Sequence, residues 1–342
     1  MKGLNIAVLG CGHWGPNYIR VFSGLENVSV KYACDLSQPK LDRIKAQFQN
    51  VSTTSDFNLV LKDPSVDAIV IATPSSTHFT VAKSCLEAGK HLLVEKPMTL
   101  TTGDAQALVK LSEEKKRIVF VGHTFLYNPG IRKMKEIIDS GELGGIYYLT
   151  ATRTHLGLVR DDVNVAWDLA PHDIAIFNYL LGQTPTRVDA FGVCHLKKDR
   201  EDAVFIHLLY PNSVLGQIHV SWVDSNKERT VKVIGSEARI VFDDINNLER
   251  VKIYKKGIRR SPDWGISNRA TDNTFGEFQL LLRDGDIISP RIEPLEPLKA
   301  MCLEFVDCLR TGKKPLTDAQ SGYEVVRVME EIDRALAAHS GH

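Results

Sequence analysis

Three glycines set the first chemical expectation. Gly10, Gly12 and Gly15 stand in the run Gly10-Cys11-Gly12-His13-Trp14-Gly15, after the apolar segment Ile6–Leu9 and ahead of a helical pattern from Gly15 to Ser23. A strand, a tight turn and a helix in that order offer backbone N–H groups at a helix N-terminus to a pyrophosphate. Asp35 lies twenty residues beyond Gly15, at the end of the next strand candidate, Val28–Cys34. A carboxylate there would accept bonds from the hydroxyls of an adenosine ribose and repel a 2′-phosphate, which favours NAD over NADP. The alternative is a glycine-rich turn followed by an Asx-turn aspartate.

Three further runs could carry chemistry. Thr73-Pro74-Ser75-Ser76-Thr77-His78 follows the apolar run Ala68–Ala72. Ligands of open parallel sheets bind at such strand ends, although an ordinary turn and helix cap would have the same composition. Glu95-Lys96-Pro97 follows the strand candidate His91–Val94. A lysine near an oxidised nicotinamide would lose proton affinity to the like charge and could exchange a proton with a substrate hydroxyl. Otherwise Lys96 is a solvated cation beside Glu95. Trp167-Asp168-Leu169-Ala170-Pro171-His172-Asp173 opens an apolar helix. Pro171 belongs in a first turn, which starts that helix near Asp168 and puts His172 on the same face, close to the positive end of the helix dipole. A histidine kept neutral there is a proton acceptor. The plainer reading has Asp168 as helix cap and His172 as a satisfied interface side chain.

The elements that must position these groups follow from periodicity. Strand and helix patterns alternate through the first 120 residues, predicting parallel βαβ units and a doubly wound sheet of the Rossmann type. Beyond Gly122 come a helix over 129–140, a strand over 146–154 and the apolar helix closed by Gly182. β-type runs then continue from 188 to 254, which predicts an open, mostly antiparallel sheet in a C-terminal α+β domain. Residues 258–296 have few periodic signals and read as an extended segment, and two helices, about 298–310 and 319–338, end the chain. The chain is α/β, divided as residues 1–122 and 123–342. Its length, 342 residues, exceeds what one core usually serves.

Lysine plus arginine balance aspartate plus glutamate at 42 each, which argues against bulk nucleic-acid binding or a membrane-surface role. No apolar stretch approaches a membrane span, and the run after Met1-Lys2 is too short for a secretory leader. The six cysteines show no CxxC spacing, so four or more buried, reduced thiols are expected rather than a zinc site or disulfides. Together these point to a cytoplasmic protein that needs no metal.

Combined, the motifs resemble the Gfo/Idh/MocA family of nicotinamide-dependent oxidoreductases over essentially the whole chain. The resemblance rests on Gly10 to Gly15, Ala72-Thr73-Pro74 with His78, Glu95-Lys96-Pro97, Gly122-His123 with Asn128-Pro129, Gly141-Glu142-Leu143-Gly144, Asp168 with His172, and Glu296-Pro297-Leu298. It implies Lys96, Asp168 and His172 as catalytic residues. It implies cofactor contacts from Gly10, Gly12, His13, Trp14, Gly15, Asp35, Thr73, Pro74, His78, Glu95, Lys96 and Pro97, with a cis bond before Pro97. Substrate contacts are expected from Lys96, His123, Tyr127, Asn128, Arg153, Asn164, Asp168 and His172. The run 122–129 looks closest to sugar-nucleotide 3-dehydrogenases of surface-polysaccharide pathways, which act on UDP-N-acetylglucosamine or its uronic acid. The arginine frequent in that run is absent, with Leu126 or a neighbour in its place. A homo-oligomer, dimer or tetramer, is also implied. Free sugar or inositol dehydrogenases and a cofactor-binding regulator without catalysis are the alternatives. Arg153, Arg160, Lys227 and Arg229 could supply charge for a diphosphate or carboxylate, or simply line an exposed sheet face. The basic run 252–260 reads as a solvated hairpin.

Overall fold

The structure, a computed structural model, describes residues 3–157, 159–258 and 282–339. Much of the segment expected to be extended, and the end of the basic run near residue 260, lie outside the described residues. The chain forms two compact units, Met1–Asn128 with Leu295–Glu331, and Pro129–Pro294 with Ile332–His342.

In the first unit six parallel strands run β1 (Leu4–Leu9), β2 (Val28–Cys34), β3 (Ser52–Thr54), β4 (Ala68–Ile71), β5 (His91–Val94) and β6 (Val119–Val121). Their spatial order is β3-β2-β1-β4-β5-β6, so the order reverses between β1 and β4. All four residues of β4 are buried, as a central strand covered on both faces requires. The connections are α1 (Gly15–Ser23), α2 (Gln38–Gln47), α3 (Phe57–Lys62), α4 (His78–Glu87) and α5 (Thr102–Lys115). This is the expected Rossmann sheet. Neither β3 nor α3 stands out in the sequence, because three polar edge residues and a six-residue helix carry too few periods to register.

The second unit holds α6 (Pro129–Asp139), β7 (Ile146–Leu156), α7 (Val165–Leu181), β8 (Arg187–Val193), β9 (Ala203–Leu209), β10 (Leu215–Ser221), β11 (Val223–Gly235), β12 (Arg239–Asp243) and β13 (Val251–Tyr254). Two short strands, β14 (Gly257–Ile258) and β15 (Leu282–Arg283), pair with each other. With β16 (Ile287–Ile288) the large sheet has eight strands in the order β16-β13-β12-β11-β7-β10-β9-β8. Only β10 and β7 pair in parallel; every other pair is antiparallel. The mostly antiparallel α+β expectation holds.

The last helices, α8 (Pro297–Thr311) and α9 (Ala319–His339), depart from the division at residue 122. Phe305 of α8 sits edge-on to Phe22 and Phe120, and the N–H of Val121 bonds the carbonyl of Thr317. Apolar burial against β6 and α1 thus draws residues 295–331 into the first unit, and only the last turns of α9 join the second. Among the described residues no helix is long and apolar enough to cross a membrane. No group of three or more His, Cys, Asp or Glu among them could hold a metal ion. All six cysteines are unpaired, with Cys194 exposed and the others buried.

Candidate active site

The first unit gathers its motif residues at the carboxyl ends of β1, β4, β5 and β6. Gly10 turns with φ +90°, and a Cβ there would strike the carbonyl of Ala72 and the amide of Thr73 at 2.8 Å. A Cβ on Gly15 would collide with the Gly10 carbonyl, so helix and strand approach too closely for a side chain. Gly12 differs, since nothing lies within 4 Å of where its Cβ would be. That gap over the turn, in front of the N-terminus of α1, is the cradle a pyrophosphate requires, and the residues present fit the group. His13 and Trp14 are exposed on this turn, edge to face with centroids 5.4 Å apart. Asp35 stands at the end of β2, its Oδ2 accepting from the Cys11 N–H at 2.7 Å and its Oδ1 from the Ser37 N–H at 2.8 Å. Lys40 lies 3.5 Å from the same carboxylate. The expected glycine–aspartate juxtaposition is therefore present. Burial, with Asp35 next, pushes the Cys11 thiol up to about 12, leaving it inert.

Glu95 and Lys96 leave β5 and enter the cis Lys96–Pro97 bond that the resemblance implies. Glu95 is buried, and burial raises its pKa against the opposing hydrogen bond of Tyr18. The Tyr18 hydroxyl donates to its Oε1 at 2.6 Å, and the Lys96 N–H donates to its Oε2 at 3.1 Å. The Lys96 side chain is half-buried and lies near His123, which is fully buried. Burial, helped by the Lys96 charge, holds His123 at about 4, so its imidazole is neutral at pH 7. Neither of its ring nitrogens has a hydrogen-bond partner among the described residues. A buried imidazole with two open positions beside a lysine fits a hydrogen-bonding ligand group, as buried polar atoms are seldom left unsatisfied. Tyr127 is buried and stacked on Phe120, and Asn128 is buried at the entry to α6.

His78 departs from the expected cofactor contact. It is 1% exposed, and both ring nitrogens face backbone carbonyls, Pro97 at 2.8 Å and Thr73 at 2.9 Å. No ring nitrogen is left for a cofactor. Thr73 accepts from the Thr77 hydroxyl at 2.8 Å, and Pro74 is exposed.

In the second unit α7 carries Asp168 and His172, but its start differs from expectation. It begins at Val165, capped by Asn164, whose Oδ1 accepts from the Trp167 N–H at 3.0 Å. Pro171 therefore sits inside the helix rather than in the first turn, and His172 lies two turns in, too deep for the terminal dipole to act strongly. Asn164 also donates to Glu201 at 2.9 Å, so the side chain expected to touch substrate is a helix cap. Arg153 of β7 is buried and forks onto Asp173, Nε to Oδ2 at 2.9 Å and Nη2 to Oδ1 at 2.8 Å. The guanidinium edge expected to meet substrate thus anchors the helix next to His172. Asp168 accepts from the Trp222 indole at 3.1 Å and from Arg160 at 3.3 Å. Asp168 and His172 remain one turn apart on α7. Trp222, Asp173 and Tyr18 escape sequence reasoning, since no motif or spacing singles them out. Around His155, burial lowers the pKa first, followed by Arg229, with Lys227 and Arg153 adding in the same direction and Asp168 opposing. Arg229 there also lies 3.6 Å from Asp244.

The sequence profile described as an oxidoreductase family with an NAD-binding Rossmann fold matches residues 4–123, and that of the GFO/IDH/MocA C-terminal domain matches residues 131–241. A UDP-N-acetylglucosamine 3-dehydrogenase of Acidithiobacillus ferrooxidans is 27% identical over 340 residues, 99% of each chain. Its solved structure superposes with a TM-score of 0.83 at 23% identity, covering both chains completely. A scyllo-inositol 2-dehydrogenase (NAD(+)) of Bacillus subtilis is 26% identical over 93% of this chain and 91% of its own. An enzyme of gentamicin A biosynthesis, solved with NAD, shares the fold with a TM-score of 0.79 at 22% identity, over 100% of this chain and 96% of its own.

Proposed function

Since this chain belongs to the Gfo/Idh/MocA family of NAD-binding oxidoreductases, dehydrogenases of sugar or polyol hydroxyls, we propose that it oxidises or reduces a ring carbon, C3, of a UDP-N-acetylhexosamine or its uronic acid. NAD, rather than NADP, is the cofactor we assign, on the Asp35 carboxylate bonded to the glycine turn. The bound nicotinamide supplies a hydride acceptor or donor. The chain's own residues manage the proton. Lys96 and His172 take up or return the proton of the reacting hydroxyl, and Asp168, fixed by Trp222 and Arg160, orients His172 or the sugar. His123, neutral and with open ring nitrogens, hydrogen-bonds the ligand beside Lys96.

What supports the substrate class is the set of cations near His155, namely Arg229, Lys227 and Arg153, with Arg229 also 3.6 Å from Asp244 and Arg153 forked onto Asp173. A diphosphate or uronate gains from such charge; a neutral inositol does not. The full-length similarity to a scyllo-inositol dehydrogenase favours the polyol as the second reading. A thermal-shift series with NAD, NADP, UDP-sugars, free sugars and inositols separates the two. Ligand at about 100 times its Kd adds about 2.7 kcal/mol, so a shift with NAD that a UDP-N-acetylhexosamine increases supports the proposal. Stabilisation by inositol and not by UDP-sugars would reverse the choice. Lys96→Ala should retain NAD binding and lose turnover, an outcome a regulator without catalysis would not produce.

A homo-oligomer, dimer or tetramer, is proposed on the face of the large sheet where the cross-strand pairs Tyr148–Leu215 and Phe205–Phe191 are exposed. Light scattering on the purified protein checks it. Six unpaired thiols suit a reducing compartment, and we place the enzyme in the cytoplasm.

A further inference from the structure

At the peptide before it and at the peptide that follows Pro97, buried side chains hold the chain on both sides of Lys96. Before it, the Lys96 N–H bonds Glu95 Oε2 at 3.1 Å, and the opposite oxygen of that carboxylate is fixed by the Tyr18 hydroxyl of α1 at 2.6 Å. After it, the Pro97 carbonyl faces His78 Nδ1 at 2.8 Å, and the other ring nitrogen faces the Thr73 carbonyl at 2.9 Å. A continuous path therefore runs from the helix behind the glycine turn, through Glu95, across the Lys96–Pro97 peptide, to His78 and the turn after β4. Tyr18, Glu95 and His78 are all buried, so water does not compete for these bonds.

We propose that His78 is a positioning residue, not a cofactor contact: by holding the Pro97 carbonyl it fixes the chain one residue beyond Lys96, with Glu95 fixing the peptide before it. The proposal rests on the reading of Lys96 as the proton-handling group. The lysine stem is four carbons long, so a small rotation of its peptide is magnified at Nζ. Misplacing a reacting group by about 1 Å costs on the order of 100-fold in rate. Carbonyl oxygens only accept, so each bond needs a hydrogen on the ring. A neutral imidazole carries one, and Pro97 and Thr73 then compete for it.

Three substitutions separate the two bonds. His78→Phe keeps a ring and removes the donor at either position; His78→Asn returns an amide where Nδ1 stood, toward Pro97; His78→Gln returns one where Nε2 stood, toward Thr73. Hydrogen exchange by mass spectrometry on the full chain reads the peptides spanning residues 73–77 and 94–98 without any substrate. Faster exchange in both segments is expected for His78→Phe, in 73–77 for His78→Asn and in 94–98 for His78→Gln. With turnover measured alongside, His78→Phe and His78→Gln should lose about 10- to 100-fold in kcat, with the NAD Kd within threefold of wild type. His78→Asn should recover most of the loss. Should His78→Phe fail to fold, the Asn and Gln pair carries the comparison. Equal kcat in these two variants, unchanged exchange in 94–98 for His78→Gln, or loss of NAD affinity in step with kcat overturns the proposal. If Lys96→Ala still turns over, the reading of Lys96 fails and the catalytic half of the proposal with it, whereas the exchange pattern stands or falls by itself.

Discussion

Replacing Arg153 by methionine removes a charge from the most enclosed ion pair described in the chain. The side chains of Arg153 and Asp173 are 6% and 2% exposed, and two bonds of 2.8 and 2.9 Å join them in parallel. Burial opposes the arginine's charge, while Asp173 foremost, then Asp244 and Asp168, support it and raise its pKa overall. Methionine keeps the stem volume but leaves the buried Asp173 carboxyl without its fork. Breaking a buried pair from one side costs about 3–5 kcal/mol. For a unit of this size each kcal/mol lowers Tm by about 2–4 °C, so a fall of about 6–20 °C is expected. Trp167 and Trp222 are both buried in the same unit, so their fluorescence reports its unfolding in heat or urea. The control is Arg153→Met combined with Asp173→Leu, which removes both charges and should recover most of the stability, because replacing a whole buried pair by apolar groups is often close to neutral. A loss below about 1 kcal/mol for Arg153→Met, or a double variant no better than the single, would refute the claim that a stranded charge is the cause. A variant that stays folded should also lose turnover, since Asp173 is the neighbour of His172 on α7.

Three other outcomes are expected. Gly12→Ala should leave the Tm of the protein alone unchanged, because nothing lies within 4 Å of the added carbon, yet weaken NAD by about tenfold or more in calorimetric titration; Gly10→Ala, at φ +90° against the Ala72 carbonyl, should instead destabilise the fold. Asp35→Ser should weaken NAD by about tenfold and improve NADP, since it removes the carboxylate and leaves Lys40, now 3.5 Å from it, for a 2′-phosphate; an unchanged NAD to NADP ratio of Kd values would count against the role of Asp35. His123 resists protonation in the folded chain until about pH 4, whereas the unfolded chain takes the proton near 6.5, so its contribution is complete above that value and is lost as pH falls toward 4. The gap corresponds to about 3 kcal/mol, and His123→Phe should flatten the acid limb of a Tm–pH curve by a comparable amount; an unaltered limb would show that other groups set it.

Much of the fold was legible because its signals are local. Gly10, Gly12 and Gly15 after an apolar strand, Gly182 closing α7 at φ 64°, and the bounds of β2, β5, β12 and β13 all follow from period and punctuation within a few residues. Pro171 read as a first-turn marker places the start of α7 near Asp168, three residues after its observed start at Val165. The Asn164 cap outweighs it, with the N–H of Asp168 bonding the Asn164 carbonyl as the first helical bond. The placement of residues 295–331 was not legible either: it depends on Phe305 meeting Phe22 and Phe120, contacts between segments nearly 200 or more positions apart, which no local pattern encodes.

The candidate site shows the same limit in chemical form. A motif names the residue types at a strand end, but three-dimensional partners decide which polar atoms remain for a ligand. His78, Asn164 and the fork of Arg153 stand where contacts with small molecules were expected, and each has polar atoms committed to protein: two carbonyls, a helix N-terminus with Glu201, and Asp173. Gly12 and His123 are the converse. Open space lies in front of one, and the other has two ring nitrogens without partners among the described residues, which is where the proposed ligands would bond. The committed groups lie next to the proposed reacting ones, His78 beside the Lys96–Pro97 peptide and Asp173 beside His172. Their substitution should therefore lower kcat more than it raises KM, whereas substitutions at Gly12 and His123 should act first on ligand affinity. That split, measured across the two sets, tests whether hydrogen-bond commitment assigns the roles; equal effects on kcat and KM in both sets would mean that it does not.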